Sequence, residues 1–345
     1  MIRNLIEEPH TIWTQGQGQF PEIVLSSRVR LARNLAQFPF PLKQTEVTAK
    51  AVLEHLEKTV ANDRELRMYK FIELPELERQ VLVEKHIISP DHAQKPENKG
   101  LIINKEGSIS IMLNEEDHLR IQCFASGLQL DDLWNTADKI DDEMEEKLTY
   151  AFDEQFGYLT CCPTNLGTGM RVSVMMHLPG LVLTGQGGRI LTQLSQLGIA
   201  VRGLFGEGTE ALGNLFQVSN QITLGQNEEE ILSNINGVAK KIVAQEQAAR
   251  DYLVQNAGLQ LEDKARRAYG ILTNAKIISS QEALNLISDL RLGKAVGMID
   301  SMEFKLINEL YLLCQPAYLQ VLAKRKMDSQ ARDIKRAEIF KEKLA

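Results

Sequence analysis

The stretch GSISIMLNEEDHLRIQCFAS, residues 107–126, decides how the chain is read. Ile109, Ile111 and Leu113 alternate with Ser108, Ser110 and Met112, the two-residue period of a strand with one buried face. LRIQCFAS (119–126) is a second strand, and only NEEDH separates the two, as a link or a bulged continuation. A parallel neighbour needs a crossover of about a dozen residues, so so short a link implies an antiparallel pair. Outward from it, RVSVMMHL (171–178) and IAVRGL (199–204) read as strands, and LGNLFQVSNQITLG (212–225) as a strand with a turn. Helical spacing lies between. TEVTAKAVLEHLEKTVAND (45–63) puts Val47, Val52, Leu53 and Leu56 on one side, and DDLWNTADKIDDEMEEKLTYAF (131–152) is similar. The expected class is α+β, an antiparallel sheet flanked by helices.

After Gly225 the pattern changes. Asn227 with Glu230 is an N-cap signal for a long helix to about Gln255, and Ser279 with Glu282 is a capping box for another. LINELYLLCQ and AYLQVLAKRK have helical spacing. We expect a catalytic domain over 1–255 and an all-helical domain over 256–345, as the length of 345 residues also favours two domains. Apolar content of 43% and charged content of 25% are those of a soluble globular protein. A net charge of −7 argues against a nucleic-acid partner, and no run of 18 apolar residues suggests a membrane span. MIRNLIEEPHTIW lacks a signal-peptide pattern, so the expected location is cytoplasmic. Cys123, Cys161, Cys162 and Cys314 lack zinc spacing and read as free thiols.

No P-loop, H-E-x-x-H, G-x-S-x-G or protein-kinase motif is present. What stands out is a set of arginines at strand ends: Arg28 and Arg30 in SSRVR, Arg120 closing NEEDHLR, Arg171 closing CPTNLGTGMR, and Arg202 opening RGLFGEG. Taken singly, each reads as a solvated surface charge. Together they make a cage for several phosphate charges, because the planar guanidinium fork binds phosphate oxygens bidentately. Glu115, Glu116 and Asp117 read alone as a solvated turn, with a metal or cation site as the alternative; Glu207 lies in a glycine-flanked loop.

SSRVRLARNL, NEEDHLRIQ, CPTNLGTGMRVSV and RGLFGEGTEALGNLFQVSNQ resemble, in order and spacing, the catalytic domain of the phosphagen (guanidino) kinases. The likeness spans roughly residues 20–255. It implies transfer of the γ-phosphoryl group of ATP, with Mg²⁺ held mainly by the ATP phosphates rather than by protein ligands. It also implies that Arg28, Arg30, Arg120, Arg171 and Arg202 hold the phosphates and that His86 lies near the adenine. Ser26, Ser27 and Val29, then Val172, Ser173, Val174 and Met175, then Gly203, Leu204, Phe205, Gly206 and Glu207 complete the implied ATP-binding segments. The implied catalytic residues are Glu116, which binds and orients the guanidinium, the reactive Cys162, and Glu207 as a second substrate carboxylate.

The Gly206-Glu207 pair resembles arginine-specific members of the family. SSRVR begins at residue 26, leaving no room for the helical cap of enzymes that take the free amino acid, so the resemblance is to the branch phosphorylating protein arginines in bacterial stress responses. That branch implies protein substrates including a heat-shock repressor, delivery to an ATP-dependent unfoldase-protease, and a small zinc-binding activator. Apolar runs such as LINELYLLCQ mark the C-terminal helices as the expected homodimer contact. ARDIKRAEIF carries Arg332, Asp333, Arg336 and Ala337, which match the RDxxRA signature of a phosphoarginine pocket in these kinases and imply allosteric activation. Alone, such a charged terminal helix reads as a solvated face. Arg332 and Arg336 are spaced i, i+4 and expected to share one face. The alternatives are a metabolic arginine kinase and a non-catalytic phosphoarginine-binding adaptor.

Overall fold

A computed structural model describes residues 2–344 except 62, 64, 189–193, 195, 197, 204–211 and 301. The expected site residues Leu204, Phe205, Gly206 and Glu207 therefore lie outside the described residues. The strands are β1 (Val24–Arg33), β2 (Arg67–Lys70), β3 (Gly100–Ile103), β4 (Ile109–Leu113), β5 (Leu119–Ser126), β6 (Phe152–Asp153), β7 (Gly157–Tyr158), β8 (Met170–His177), β9 (Ile199–Gly203) and β10 (Leu215–Asn220). Eight of them form one antiparallel sheet in the order β2-β3-β4-β5-β1-β8-β10-β9, and β6 pairs with β7 as a small hairpin. The helices are α1 (Ile2–Glu7), α2 (Glu46–Val60), α3 (Glu76–Glu84), α4 (Pro90–Ala93), α5 (Leu130–Glu145), α6 (Pro179–Leu183), α7 (Glu228–Asn274), α8 (Ser280–Ala295), α9 (Phe304–Leu313), α10 (Pro316–Ala323) and α11 (Ser329–Leu344). The fold is the expected α+β one. No described helix is long and apolar enough to cross a membrane.

The β4–β5 pair forms as the alternation requires, with Asn114–His118 as its turn and Asn114 at φ 55°. The expectation of one buried face falls short, because both faces are covered. Ile111 and Leu113 join the core under α2, α5 and the first half of α7. Met112 on the other face packs with α1, α3 and the C-terminal helices. Ser110, which reads as solvent-facing, is buried and its hydroxyl donates to the Ile87 carbonyl. The C-terminal helices thus close one side of the sheet.

Three local expectations change. In α2, Val52, Leu53, Leu56 and Val60 are buried, whereas Val47 is 78% exposed at the first turn, ahead of where the helix meets the sheet. Helix α5 stops at Glu145, because the following backbone bonds back to β1's exit: Ala36 N–H donates to Thr149 O and Ala151 N–H to Asn34 O. Helix α7 does not end near Gln255. Asn227 caps it as expected, accepting from Glu230 N–H, and it runs to Asn274 with one non-helical residue, Ala257 (φ −142°, ψ 30°). The apolar face resumes beyond that kink with Leu261, Ala265, Ala268 and Leu272, so packing carries the helix onward. Ser279 caps α8, accepting from Glu282 N–H.

Three buried histidines sit in the folded chain as neutral rings. His118 accepts from Leu35 N–H at Nδ1, which leaves Nε2–H to donate to Pro39 O. His92 bonds Gly100 O, and His177 meets Ser288 and the Arg291 guanidinium. Burial holds His118 and His92 down to about 4 and His177 well below the usual value. The unfolded chain binds these protons near pH 6.5, so their contribution to stability is complete above 6.5 and lost as pH falls towards 4. Tm is expected to decline steadily from pH 7 to 4.5; a level Tm over that range contradicts the assignment.

Candidate active site

Strand pairing sets the site. In β1, Arg28 lies opposite Phe124 of β5 and Ser173 of β8, and Arg30 lies opposite Gln122 and Arg171. Arg120 pairs with Met112 and Ala32, and Gln217 of β10 pairs with Met175 and Arg202. Paired residues share a sheet face, so this register alone gathers all five arginines on one side. They line a single cavity of about 1080 Å³ with Ser26, His86, Glu116, Ser173, Met175 and Gly203. Ser27, Val29, Val172 and Val174, expected in the same segments, alternate to the opposite face. The three valines sit in the core and Ser27 Oγ donates to Gly127 O, so strand period removes them from the cavity.

The arginines repel one another. Burial, then Arg171 and Arg120, draw Arg28 down to about 10; burial with Arg28, Arg120 and Arg171 draws Arg30 well below the usual value. Arg171 is lowered by burial, Arg202 and Arg120. All stay cationic at neutral pH. Some donors are used: Arg28 reaches Ser173 Oγ (3.3 Å) and Gln217 Oε1 (3.1 Å), and Arg171 reaches Ser219 Oγ (3.1 Å). Arg30 Nε and Arg171 Nε are buried with no hydrogen-bond partner among the described residues. Buried donors without described acceptors, where five arginines outnumber the two nearby glutamates Glu115 and Glu116, fit a polyphosphate.

The three acids of the β4–β5 turn have three different roles. Asp117 is fully buried, and its Oδ1 accepts from Asn34 Nδ2 (2.6 Å) and Cys161 N–H (2.7 Å), fastening the cysteine loop to the turn. Glu115 accepts from Ser89 Oγ and Arg120; burial opposes its ionisation, but Arg120 and those hydrogen bonds hold it below the usual carboxylate range. Glu116 is 40% exposed at the cavity rim, paired with Arg120 Nη2 at 2.7 Å and approached by Asn165 Nδ2 at 3.4 Å.

Asn165 belongs to the loop that carries Cys162. Cys162 Sγ lies 3.0 Å from Thr164 Oγ1, and the residue sits beside the cavity rather than among its lining. Cys161, beside Asp117, is pushed up to about 11 by burial and that carboxylate. Two glycines shape the loop. At Gly169 (φ 64°) a Cβ would lie 2.6 Å from Ala32 O, and at Gly167 (φ 103°) one would collide with Thr223 O.

Residues 47–249 match the model of the family described as ATP:guanido phosphotransferase, C-terminal catalytic domain, which is more than half the chain. The chain belongs to that family. Residues 258–345 of this guanido phosphotransferase match a second model, the protein-arginine kinase McsB C-terminal domain. Among its relatives, the protein-arginine kinase of Symbiobacterium thermophilum is 48% identical over 99% of this chain and 98% of that one. The protein-arginine kinase of Moorella thermoacetica is 47% identical over 98% of each. Among solved structures, lombricine kinase superposes with a TM-score of 0.60 at 25% identity, covering 67% of this chain and 68% of that one. The duplicated taurocyamine kinase of Schistosoma mansoni, at 24% identity and a TM-score of 0.61, covers 76% of this chain and 38% of its own and shares the fold.

A guanido phosphotransferase needs an anion-binding face and a carboxylate beside it, and both are present. Sequence reasoning missed other cavity residues: Trp13, whose ring lies 5.6 Å from that of His86, Glu84, Ser89, Gln217 and, from the C-terminal helices, Tyr311, Gln315 and Pro316. Ser89-Pro90 is an N-cap signal for α4 that was legible; the others carry no local mark. The expected phosphoarginine residues lie apart from the cavity, on α11. Arg336 is 2% exposed and its guanidinium is occupied internally, by Cys314 O (2.9 Å), Ile278 O (2.6 Å) and Asp333 Oδ1 (2.6 Å). Ala337 is buried beneath it, and Arg332 is half-buried with Nη1 on Met327 O. Read alone, the charged terminal helix is a solvated face; Arg336 departs from that reading, because three internal acceptors draw it into the core.

Proposed function

We propose that this guanido phosphotransferase is a protein-arginine kinase, placing the γ-phosphoryl group of ATP on arginine side chains. The observation that carries the reading is the position of Glu116, a half-exposed carboxylate at the rim of an arginine-lined cavity and already holding a guanidinium, that of Arg120. Its reach towards solvent suits an arginine carried on another protein.

In this reading ATP, with Mg²⁺ on its phosphates, supplies the phosphoryl group and charge neutralisation. Arg28, Arg30, Arg120, Arg171 and Arg202 hold the phosphates. Glu116 exchanges Arg120 for the substrate guanidinium and aims one nitrogen in line with the γ-phosphorus. It takes that nitrogen's proton as the N–P bond forms and the bond to the ADP oxygen breaks. Cys162 steers the guanidinium electrostatically, and Glu207 serves as the second carboxylate. Transfer needs alignment and charge more than covalent chemistry, which suits a site of forks and carboxylates.

We assign residues 1–255 to catalysis and 256–345 to dimerisation and regulation, with Arg332, Asp333, Arg336 and Ala337 as the phosphoarginine pocket. A ligand there competes with the Cys314 and Ile278 carbonyls for Arg336. Phosphoarginine would mark substrates for an ATP-dependent unfoldase-protease and inactivate a heat-shock repressor, with a small zinc-binding protein as activator and the cytoplasm as the site of action. The relatives' names and the RDxxRA match support this over a metabolic kinase or a non-catalytic adaptor. In a competition between free L-arginine and an unfolded arginine-bearing protein under Mg-ATP, the protein is expected to take nearly all the phosphate. Preferential turnover of the free amino acid points to the metabolic kinase, and no turnover of either points to the adaptor.

A further inference from the structure

The cavity is not built by the sheet alone. Tyr311 near the end of α9, with Gln315 in the turn to α10 and Pro316 at its start, lines it together with Trp13, Glu84 and His86. Tyr311 is 2% exposed, and its hydroxyl is buried with no hydrogen-bond partner among the described residues. Burial pushes its ionisation far above neutrality despite nearby Arg291, so it remains a neutral hydroxyl able to donate and accept. A buried hydroxyl left unpaired is costly, and one on a cavity wall invites a ligand atom.

The wall that Tyr311 belongs to is held from two directions. From α11, Arg336 Nε donates to Cys314 O, the residue before Gln315, and is itself fixed by Asp333. From α3, the Glu84 carboxylate accepts from Ala317 N–H and Tyr318 N–H, both at 2.7 Å, capping α10. Gln315 Nε2 closes the turn on Tyr311 O at 3.0 Å. Burial raises Glu84 to about 7 even though those two N–H groups and Arg332 of α11 favour its charge. Residues of α11 thus act on both supports of the turn.

We propose that the C-terminal helices complete the nucleotide site: the Tyr311 hydroxyl is a nucleotide-binding group, and the Arg336–Cys314 bond positions the wall that presents it. The apolar and aromatic groups of the same cavity, Trp13, His86, Ile88, Met175 and Leu215, suit the flat base of a nucleoside phosphate whose anionic end lies on the arginines. The inference rests on reading this cavity as the ATP site. It makes α11 a lever on nucleotide affinity, because any ligand that draws Arg336 or Asp333 away loosens the Cys314–Pro316 turn.

The test is calorimetric titration of the full chain with Mg-ADP, alongside Tm and the KM for an arginine-bearing protein. Tyr311→Phe, which removes one oxygen, is expected to weaken ADP about three- to tenfold while Tm and the arginine KM hold. Asp333→Asn, remote from the cavity, is expected to weaken ADP in the same direction by loosening Arg336. Wild-type-like ADP affinity in Tyr311→Phe overturns the hydroxyl's role. Asp333→Asn with unaltered affinity, or with Tm and arginine KM failing in parallel, overturns the positioning role. If the wild-type chain itself binds no ADP, the reading of the cavity fails instead.

Discussion

Glu116→Gln lowers kcat for phosphoryl transfer by about 10²–10⁴-fold, the range for loss of a positioned general base. The amide has the same shape and still accepts a hydrogen bond from Arg120, so the turn between β4 and β5 is kept. It lacks the charge that selects a guanidinium and cannot take the proton as the N–P bond forms. Its side chain is 40% exposed, and its ion pair with Arg120 lies at the cavity rim, so Tm moves little. Steady-state kinetics at saturating Mg-ATP check this. A kcat within threefold of wild type removes Glu116 from the mechanism. Glu115 is the control: buried against Arg120 and Ser89, it supports the site from behind, and Glu115→Gln is expected to affect Tm as well as rate.

Arg171→Met lowers kcat/KM by about 10³-fold or more, the scale seen when an arginine that neutralises a transferring phosphoryl group is lost. Lysine does not rescue it, since a point charge cannot reproduce the planar fork. The informative part is stability. In the free protein Arg171 is half-buried among Arg28, Arg30, Arg120 and Arg202, and only Ser219 Oγ meets its side-chain donors among the described residues. Removing it relieves like-charge repulsion, so Tm is expected to stay level or rise while activity collapses. A marked fall in Tm with activity retained makes Arg171 a structural residue.

The opposition of function and stability at Arg171 also shows what the sequence conveys. Arg28 and Arg30 are two apart in a strand, and a period of two places them together without further information. The same period excludes Val29, Val172 and Val174, which contiguity of motif had grouped with them. The β4–β5 turn was legible as a cluster of acids, but not the division of labour within it. Asp117 turns inward to hold Cys161, and that depends on Asn34, far away in sequence. The second cover of the sheet was not legible, because nothing in LINELYLLCQ distinguishes a helix in its own bundle from one closing the cavity. Arg336 shows the limit of reading charge as exposure. A guanidinium with three internal acceptors is buried at 2% exposure however basic its surroundings.

The account is tested most directly by the fate of labelled phosphate. An unfolded, arginine-rich protein and the same protein with every arginine replaced by lysine are incubated with the enzyme and Mg-ATP labelled at the γ-phosphoryl group. Acid-labile label on the first substrate and none on the second is the predicted result, with Glu116→Gln abolishing it. Label on the lysine-substituted protein, or label that survives acid, contradicts transfer to an arginine nitrogen.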